Sequence, residues 1–284
     1  MKEMKRILSL VLCLAMLVGM LPMFALKAEA AETPVDALVV FSDLHVGTSG
    51  TSSSAKKTLL QNVLSKIHEE NIPVSSVASA GDMYSSNERT VEGNAAQITD
   101  WVDDVFNVPV NYVWTDHDRA ATDIAKESRL VYSGNYYVYL LSMADLSTND
   151  RYSAGFYSDA QVTQHIEAFK TAVAGLDKTK PLFIVGHQPL FDNRNDNFHA
   201  YEWAVAINEV AADMDVAYFF GHNHDYDQPA EYYYAKGSSI QVPDRQGSNH
   251  DVKLNFTHVC AGYMDPGTKD DNTRLGTALA VVIY

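Results

Sequence analysis

The chemistry-bearing residues of this chain fall into five short blocks. They are Asp43-Leu-His45, Asp82, Asp116-His117-Asp118, His187 and His222-Asn-His224. Each follows an apolar run: Leu38-Val-Val-Phe-Ser, Ser76-Val-Ala-Ser-Ala-Gly, Asn111-Tyr-Val-Trp-Thr, Phe183-Ile-Val-Gly and Ala217-Tyr-Phe-Phe-Gly. Carboxylate and imidazole together suit Mn, Fe, Zn, Co or Ni better than Ca, which prefers an all-oxygen shell. Asp43, His45, Asp82, Asp116, His187, His222 and His224 make seven candidate ligands, more than one tetrahedral site needs. They fit two adjacent ions sharing a bridging carboxylate, an arrangement used for in-line displacement at phosphorus with the ions ~3.5–4 Å apart.

Spacing supports convergence. Asp43 and His45 are two residues apart, so on an extended segment both point the same way; His222 and His224 share that spacing. Gly81, Gly186 and Gly221 precede three of the ligands, and a residue without Cβ lets the backbone leave a strand sharply.

The elements that must position these blocks alternate along the chain. Strands are predicted at Ala37–Phe41, Val74–Ala80, Val108–Trp114, Leu182–Val185 and Val216–Phe220. Amphipathic helices are predicted at Ala55–Glu70, Ala95–Phe106, Asp159–Leu176 and Tyr201–Ala212, and Leu130–Met143 reads as a hairpin turning at Ser133-Gly134-Asn135. Further β-rich segments are Glu231–Ala235, Ser239–Val242, Lys253–Ala261 and Thr277–Tyr284. Repeated βαβ implies parallel pairing with covering helices, and strands at both ends of that core imply an α/β fold of two packed mixed sheets flanked by helices, four layers in all. Ligands of open α/β sheets bind at the carboxyl ends of the strands, so five distant segments are expected to meet in one crevice.

With these residues in place, the chain resembles the calcineurin-like metallophosphoesterases. Their blocks run Asp-x-His, Gly-Asp, Gly-Asn-His-Asp/Glu, Gly-His and Gly-His-x-His. Here they stand as Asp43-Leu-His45, Gly81-Asp82, Thr115-Asp116-His117-Asp118, Gly186-His187 and Gly221-His222-Asn-His224. The resemblance implies a hydrolase of phosphomonoesters or phosphodiesters. It assigns Asp43, His45, Asp82 and His224 to one ion, and Asp116, His187 and His222 to the second, with Asp82 bridging. A metal-bridging hydroxide would attack, His117 would stabilise the phosphoryl charge or protonate the leaving oxygen, and Asp118 would orient His117.

One position departs from the family. Its Asn is Asp116 here, which keeps a ligand oxygen but adds negative charge beside the second ion. Purple acid phosphatases carry Asp-x-Gly in the first block and a tyrosine ligand three residues after the bridging Asp. His45 and Ser85 occupy those places here, so a tyrosinate-ligated ferric site is not expected. Arg119 follows the third block and is a candidate contact for a phosphate oxygen, a solvated surface arginine being the alternative. A second functional reading is a catalytically impaired metal-binding domain that binds a ligand or partner; against it, only one ligand position deviates.

Bulk properties narrow the setting. The net charge of −15 disfavours a nucleic-acid polymer as partner but not a small phosphate ester, because bound cations reverse the local field. Lys2, Lys5 and Arg6, the apolar run 7–26 and Ala28-Glu29-Ala30 make a signal peptide over residues 1–30, leaving one domain over 31–284. The alternative is a retained anchor, since the run is long enough to span. Cleavage predicts a secreted or cell-surface protein without stable membrane association. Cys260 is then the single remaining cysteine, excluding an intramolecular disulfide, and its apolar surroundings predict a buried strand residue.

Overall fold

A computed structural model describes residues 33–47, 52–84, 95–118, 121, 123–146, 157–191, 199–224, 233–264 and 276–284. The expected signal segment over residues 1–30, Arg119 and Ser85 lie outside these residues. Among those described, no helix is long and apolar enough to cross a membrane.

Two sheets form the centre. The first runs in the order β12-β1-β2-β3, built from Ala278–Ile283, Asp36–Phe41, Val74–Ser79 and Val110–Tyr112. β1, β2 and β3 are parallel, and β12 closes the edge antiparallel to β1. The second runs β4-β5-β6-β7-β11-β8, built from Arg129–Ser133, Tyr137–Leu140, Leu182–Val185, Val216–Phe220, Thr257–Cys260 and Tyr233–Tyr234. Its four middle strands are parallel, with an antiparallel strand at each edge. A separate hairpin joins β9, Ser239–Pro243, to β10, Asn249–Lys253.

Apolar faces explain the layering. Leu38, Val40 and Ala78 of the first sheet, with Val113 just beyond β3, meet Val138, Leu140, Phe183, Val185 and Phe219 of the second. Val39, Phe41 and Val77, on the alternate face, pack against α1 (Ser53–Glu69) and α2 (Ala95–Asp103) through Leu60, Leu64, Ile98 and Val102. Tyr139, Ile184, Tyr218 and Phe220 pack against α3 (Asp159–Ala174) and α4 (Ala200–Val210) through Phe169, Trp203 and Ile207. Strands apolar on both faces are what parallel sheets covered on both sides require. The expected four-layer α/β/β/α architecture is observed.

Local sequence sets the helix starts. The Ser52 hydroxyl accepts the Ala55 N–H at 3.2 Å, and the Gln161 side chain accepts the Ser158 N–H at 3.0 Å. The segment expected as one strand over Lys253–Ala261 is broken: β10 ends at Lys253 and β11 begins at Thr257. Asn208 of α4 causes the break. It donates to the Lys253 carbonyl at 2.9 Å and accepts the Asn255 N–H at 2.7 Å, removing both groups from strand pairing. The third strand is also shorter than expected, spanning Val110–Tyr112 at the sheet edge.

Candidate metal centre

All five blocks arrive at the same edge of the fold. Asp43 and His45 leave β1, Asp82 leaves β2 and His117 follows β3; His187 leaves β6, while His222 and His224 leave β7. The first two segments stay locked together beyond the strands. The Asp43 N–H donates to the Gly81 carbonyl (2.9 Å), His45 N–H to Asp82 (3.1 Å) and Val46 N–H to Met83 (2.8 Å).

Backbone strain concentrates here. Among the described residues five non-glycine positions have positive φ, and four are candidate ligands: Asp43 (55°), His45 (47°), Asp82 (53°) and His222 (65°). Such conformations cost roughly 1–3 kcal/mol each and persist where the surroundings over-determine them. Gly221 matters for another reason. A Cβ there would overlap the Ser42 hydroxyl and the Asp43 carboxylate, so only glycine lets β7 pass this close to the first block.

Three groups of ligand atoms result: Asp43, His45 and His224; His45, Asp82 and His117; and Asp82, His187 and His222. His224 Nε2 lies 2.8 Å from Asp43 Oδ1 and 3.2 Å from His45 Nε2. His222 Nδ1 lies 3.2 Å from His187 Nε2, which is 3.2 Å from Asp82 Oδ2. The same Asp82 oxygen is 3.9 Å from His45 Nε2, so Asp82 stands between the two imidazole pairs. Other contacts fix which nitrogen faces inward. His187 Nδ1 donates to the Ala80 carbonyl at 2.8 Å and His45 Nδ1 to Tyr84 at 3.3 Å, leaving both Nε2 atoms for a ligand.

These residues fit metal ions. Imidazole nitrogens facing each other at 3.2 Å repel unless a proton or cation lies between or beside them. Asp82 Oδ1 is buried without a hydrogen-bond partner, an arrangement costly to leave uncompensated. The electrostatics agree. Burial opposes charge on Asp43, yet the His224 and His45 rings hold its carboxyl well below the usual carboxylate range. Burial opposes charge on Asp82 as well, and His187 and His117 lower it. Burial also disfavours a charged His187, but Asp82 and Asp43 overcome this and push it up to about 10. The cluster therefore draws positive charge inward, which protons supply when no cation does.

Two expected roles look different in the structure. Asp118 does not hydrogen-bond the His117 ring. Its buried carboxylate accepts the N–H groups of Asp82 (3.1 Å), Met83 (2.9 Å) and Tyr84 (3.2 Å) and the Thr115 hydroxyl (2.9 Å). It holds the Asp82 segment instead. Asp116 is half-buried and belongs to none of the three groups. The Asp118 N–H closes a turn on the Thr115 carbonyl at 3.2 Å, and His117 is the residue of this block that joins a group. His117 Nδ1 lies 3.7 Å from Asp82 Oδ2, with the side chain one-quarter exposed. Cys260 is buried as expected, and burial pushes its thiol up to about 12.

One residue escaped the sequence reading. Tyr263 stacks on His224, ring centroids 4.7 Å apart and planes 6° from parallel. Its signal was present: Val259-Cys-Ala-Gly-Tyr263 repeats the pattern of apolar run, glycine and functional residue shown by the other blocks.

No family model and no curated protein sequence matches the chain. Solved structures match at the level of fold. A dimetal phosphatase from Danio rerio superposes with a TM-score of 0.52 at 13% identity, covering 81% of this chain and 88% of that one. A purple acid phosphatase from yellow lupin (Lupinus luteus) seeds gives 0.51 at 14% identity, covering 89% of this chain and 46% of that one, so the match spans under half the lupin protein. The chain shares its fold with these two phosphatases. At such identity the fold is what the proteins share.

Proposed function

We propose that this chain is an exported phosphoesterase that hydrolyses phosphomonoesters or phosphodiesters with the aid of two metal ions. The observation that carries this reading is the pairing of two ligand groups, Asp43/His45/His224 and Asp82/His187/His222, with Asp82 between them at the carboxyl ends of parallel strands from both sheets. The names of the structural neighbours, a dimetal phosphatase and a purple acid phosphatase, support the same chemistry. Ions bound there would activate water and neutralise charge on a phosphoryl group.

The chain's own side chains divide the remaining work. Asp43 and Asp82 supply the anionic oxygens of the two groups, and the His45 and His187 rings are fixed by their backbone acceptors. His117 stands beside Asp82 with part of its ring open to solvent, where it can donate a proton to a leaving oxygen or a hydrogen bond to a phosphoryl oxygen. Asp118 keeps the Asp82 segment in register with the first block. Arg119 remains a proposed phosphate contact from its place in the sequence. Export rests on the basic start, apolar run and small-residue site of residues 1–30. The acidic net charge favours a small phosphate ester over a polyanionic polymer.

The test is turnover of p-nitrophenyl phosphate and bis-p-nitrophenyl phosphate by the chain lacking residues 1–30, with Mn, Fe, Zn, Co or Ni added in turn. Hydrolysis of either ester supports the reading. Two bound ions without turnover under any metal would establish the impaired metal-binding module instead. Asp116 standing outside the ligand groups is the observation on that side.

A further inference from the structure

We propose that Tyr263 is a positioning residue for the metal centre, its ring holding the His224 imidazole in the plane that presents Nε2 to Asp43 and His45. The inference rests on the metal-binding reading above and adds a residue that follows β11, a sixth strand end. β11 runs parallel to β7, so its carboxyl end opens at the same edge as the ligands.

His224 needs such support. Its side chain is 40% exposed, whereas Asp43 is fully buried and His45 nearly so. An exposed imidazole can exchange between its rotamers unless something covers a face. Tyr263 covers one, parallel at 4.7 Å, and His45 meets His224 edge-on, centroids 5.0 Å apart at 74°. The two rings leave the His224 plane little freedom.

Tyr263 is itself held on both sides. Its N–H donates to the Thr277 hydroxyl at 3.1 Å, and its carbonyl accepts the Thr277 N–H at 3.3 Å. The next residue, Met264, is fully buried and donates its N–H to the Ser42 carbonyl at 3.0 Å, adjacent to the ligand Asp43. Gly262 makes the turn at φ 78°, and a Cβ there would overlap Thr277. A segment tied to Thr277, just before β12, and to Ser42, just after β1, thus carries an almost fully buried ring onto the most exposed of these ligands.

The experiment is calorimetric titration of Mn²⁺ into the metal-stripped chain lacking residues 1–30, as wild type, Tyr263→Phe, Tyr263→Leu and His224→Ala. The wild type is expected to bind two ions, and His224→Ala identifies which binding step its group supplies. Tyr263→Leu should weaken that same step about 10-fold or more while sparing the other, the size found when groups orienting ligands are removed. Tyr263→Phe keeps the stacked ring and should bind as wild type does. Should Leu leave the chain unfolded, Tyr263→Met, longer and more adaptable, makes the same comparison. A Leu or Met variant that binds both ions normally, or loses both steps equally, overturns the inference, as does a Phe variant impaired as far as Leu. Those outcomes leave the two-metal reading standing; a wild type that binds no ion removes both.

Discussion

Asp118 Oδ2 accepts the backbone N–H of Asp82 at 3.1 Å, so one buried carboxylate fixes the backbone of another. Burial and the Asp82 charge push Asp118 up to about 7, yet its two oxygens serve three backbone N–H groups and a hydroxyl. Asp118→Ala would leave those donors buried without acceptors. Each orphaned group costs about 1–3 kcal/mol, partly recovered by relaxation, so a loss of about 2–4 kcal/mol is expected. Denaturant unfolding of the metal-free chain measures it. A midpoint within error of wild type would show that water replaces the carboxylate without cost.

Gly221 gives a sharper geometric test. A Cβ at this position falls on the Ser42 hydroxyl and the Asp43 carboxylate, both fully buried. Asp43 Oδ2 also accepts the His222 N–H at 2.9 Å. Gly221→Ala should therefore displace a ligand and its neighbour together, costing about 1–3 kcal/mol of stability and weakening metal binding at least 10-fold. Gly175→Ala is the control, because a Cβ there meets nothing within 4 Å and its φ is an ordinary −89°. It should leave both quantities unchanged or raise stability by about 0.4–1 kcal/mol. Equal behaviour of the two variants would refute the close-approach argument.

That Asp and His residues following the strands would come together was legible in the sequence, because apolar runs and the residues that follow them are local features. The strands Leu182–Val185 and Val216–Phe220 have the expected bounds, and the blocks after them meet as the placement rule requires. What could not be read depends on contacts between distant segments. Asn208 breaks the Lys253–Ala261 run from a helix 45 residues earlier. Asp118 looks like a partner for its neighbour His117, but strand pairing brings the amides of 82–84 closer. Tyr263 was hidden for a different reason: the pattern sought only Asp and His after each glycine, and a ring that supports a ligand need not be one.

The buried His258 sets a pH dependence outside the metal centre. Its ring is fully buried and stacks on Tyr218 at 5.2 Å, and Nε2 accepts the Leu190 N–H at 3.2 Å. Burial lowers its pKa from 6.5 to about 3. Between those values the unfolded chain binds a proton that the folded chain refuses. The neutral ring's contribution is thus complete above pH 6.5 and is lost as pH falls toward about 3, with a limiting slope of about 1.4 kcal/mol per pH unit. In the metal-free chain His258→Phe should lower stability at pH 7, because Leu190 loses its acceptor, but should flatten the decline between pH 6 and 4. Parallel stability–pH curves for wild type and variant would show that His258 is protonated without penalty in the fold.

His117 separates catalysis from metal binding. It joins a group with His45 and Asp82, yet its nearest approach to a carboxylate oxygen is 3.7 Å, and its Nδ1 has no hydrogen-bond partner. Asp82, by contrast, takes part in two ligand groups and faces three imidazoles. A proton donor and a bridging ligand fail differently when removed. His117→Ala should bind two ions as wild type does and lose about 10²–10⁴-fold in kcat toward a phosphomonoester with a poor leaving group. The loss should shrink for p-nitrophenyl phosphate, whose leaving oxygen needs little protonation. Asp82→Ala should lose ions at both groups, and activity with them. Metal content by elemental analysis alongside kcat for the two leaving groups distinguishes the cases. A His117→Ala chain stripped of one ion would make this residue a ligand. A kcat loss independent of the leaving group would point to phosphoryl-oxygen stabilisation rather than proton donation.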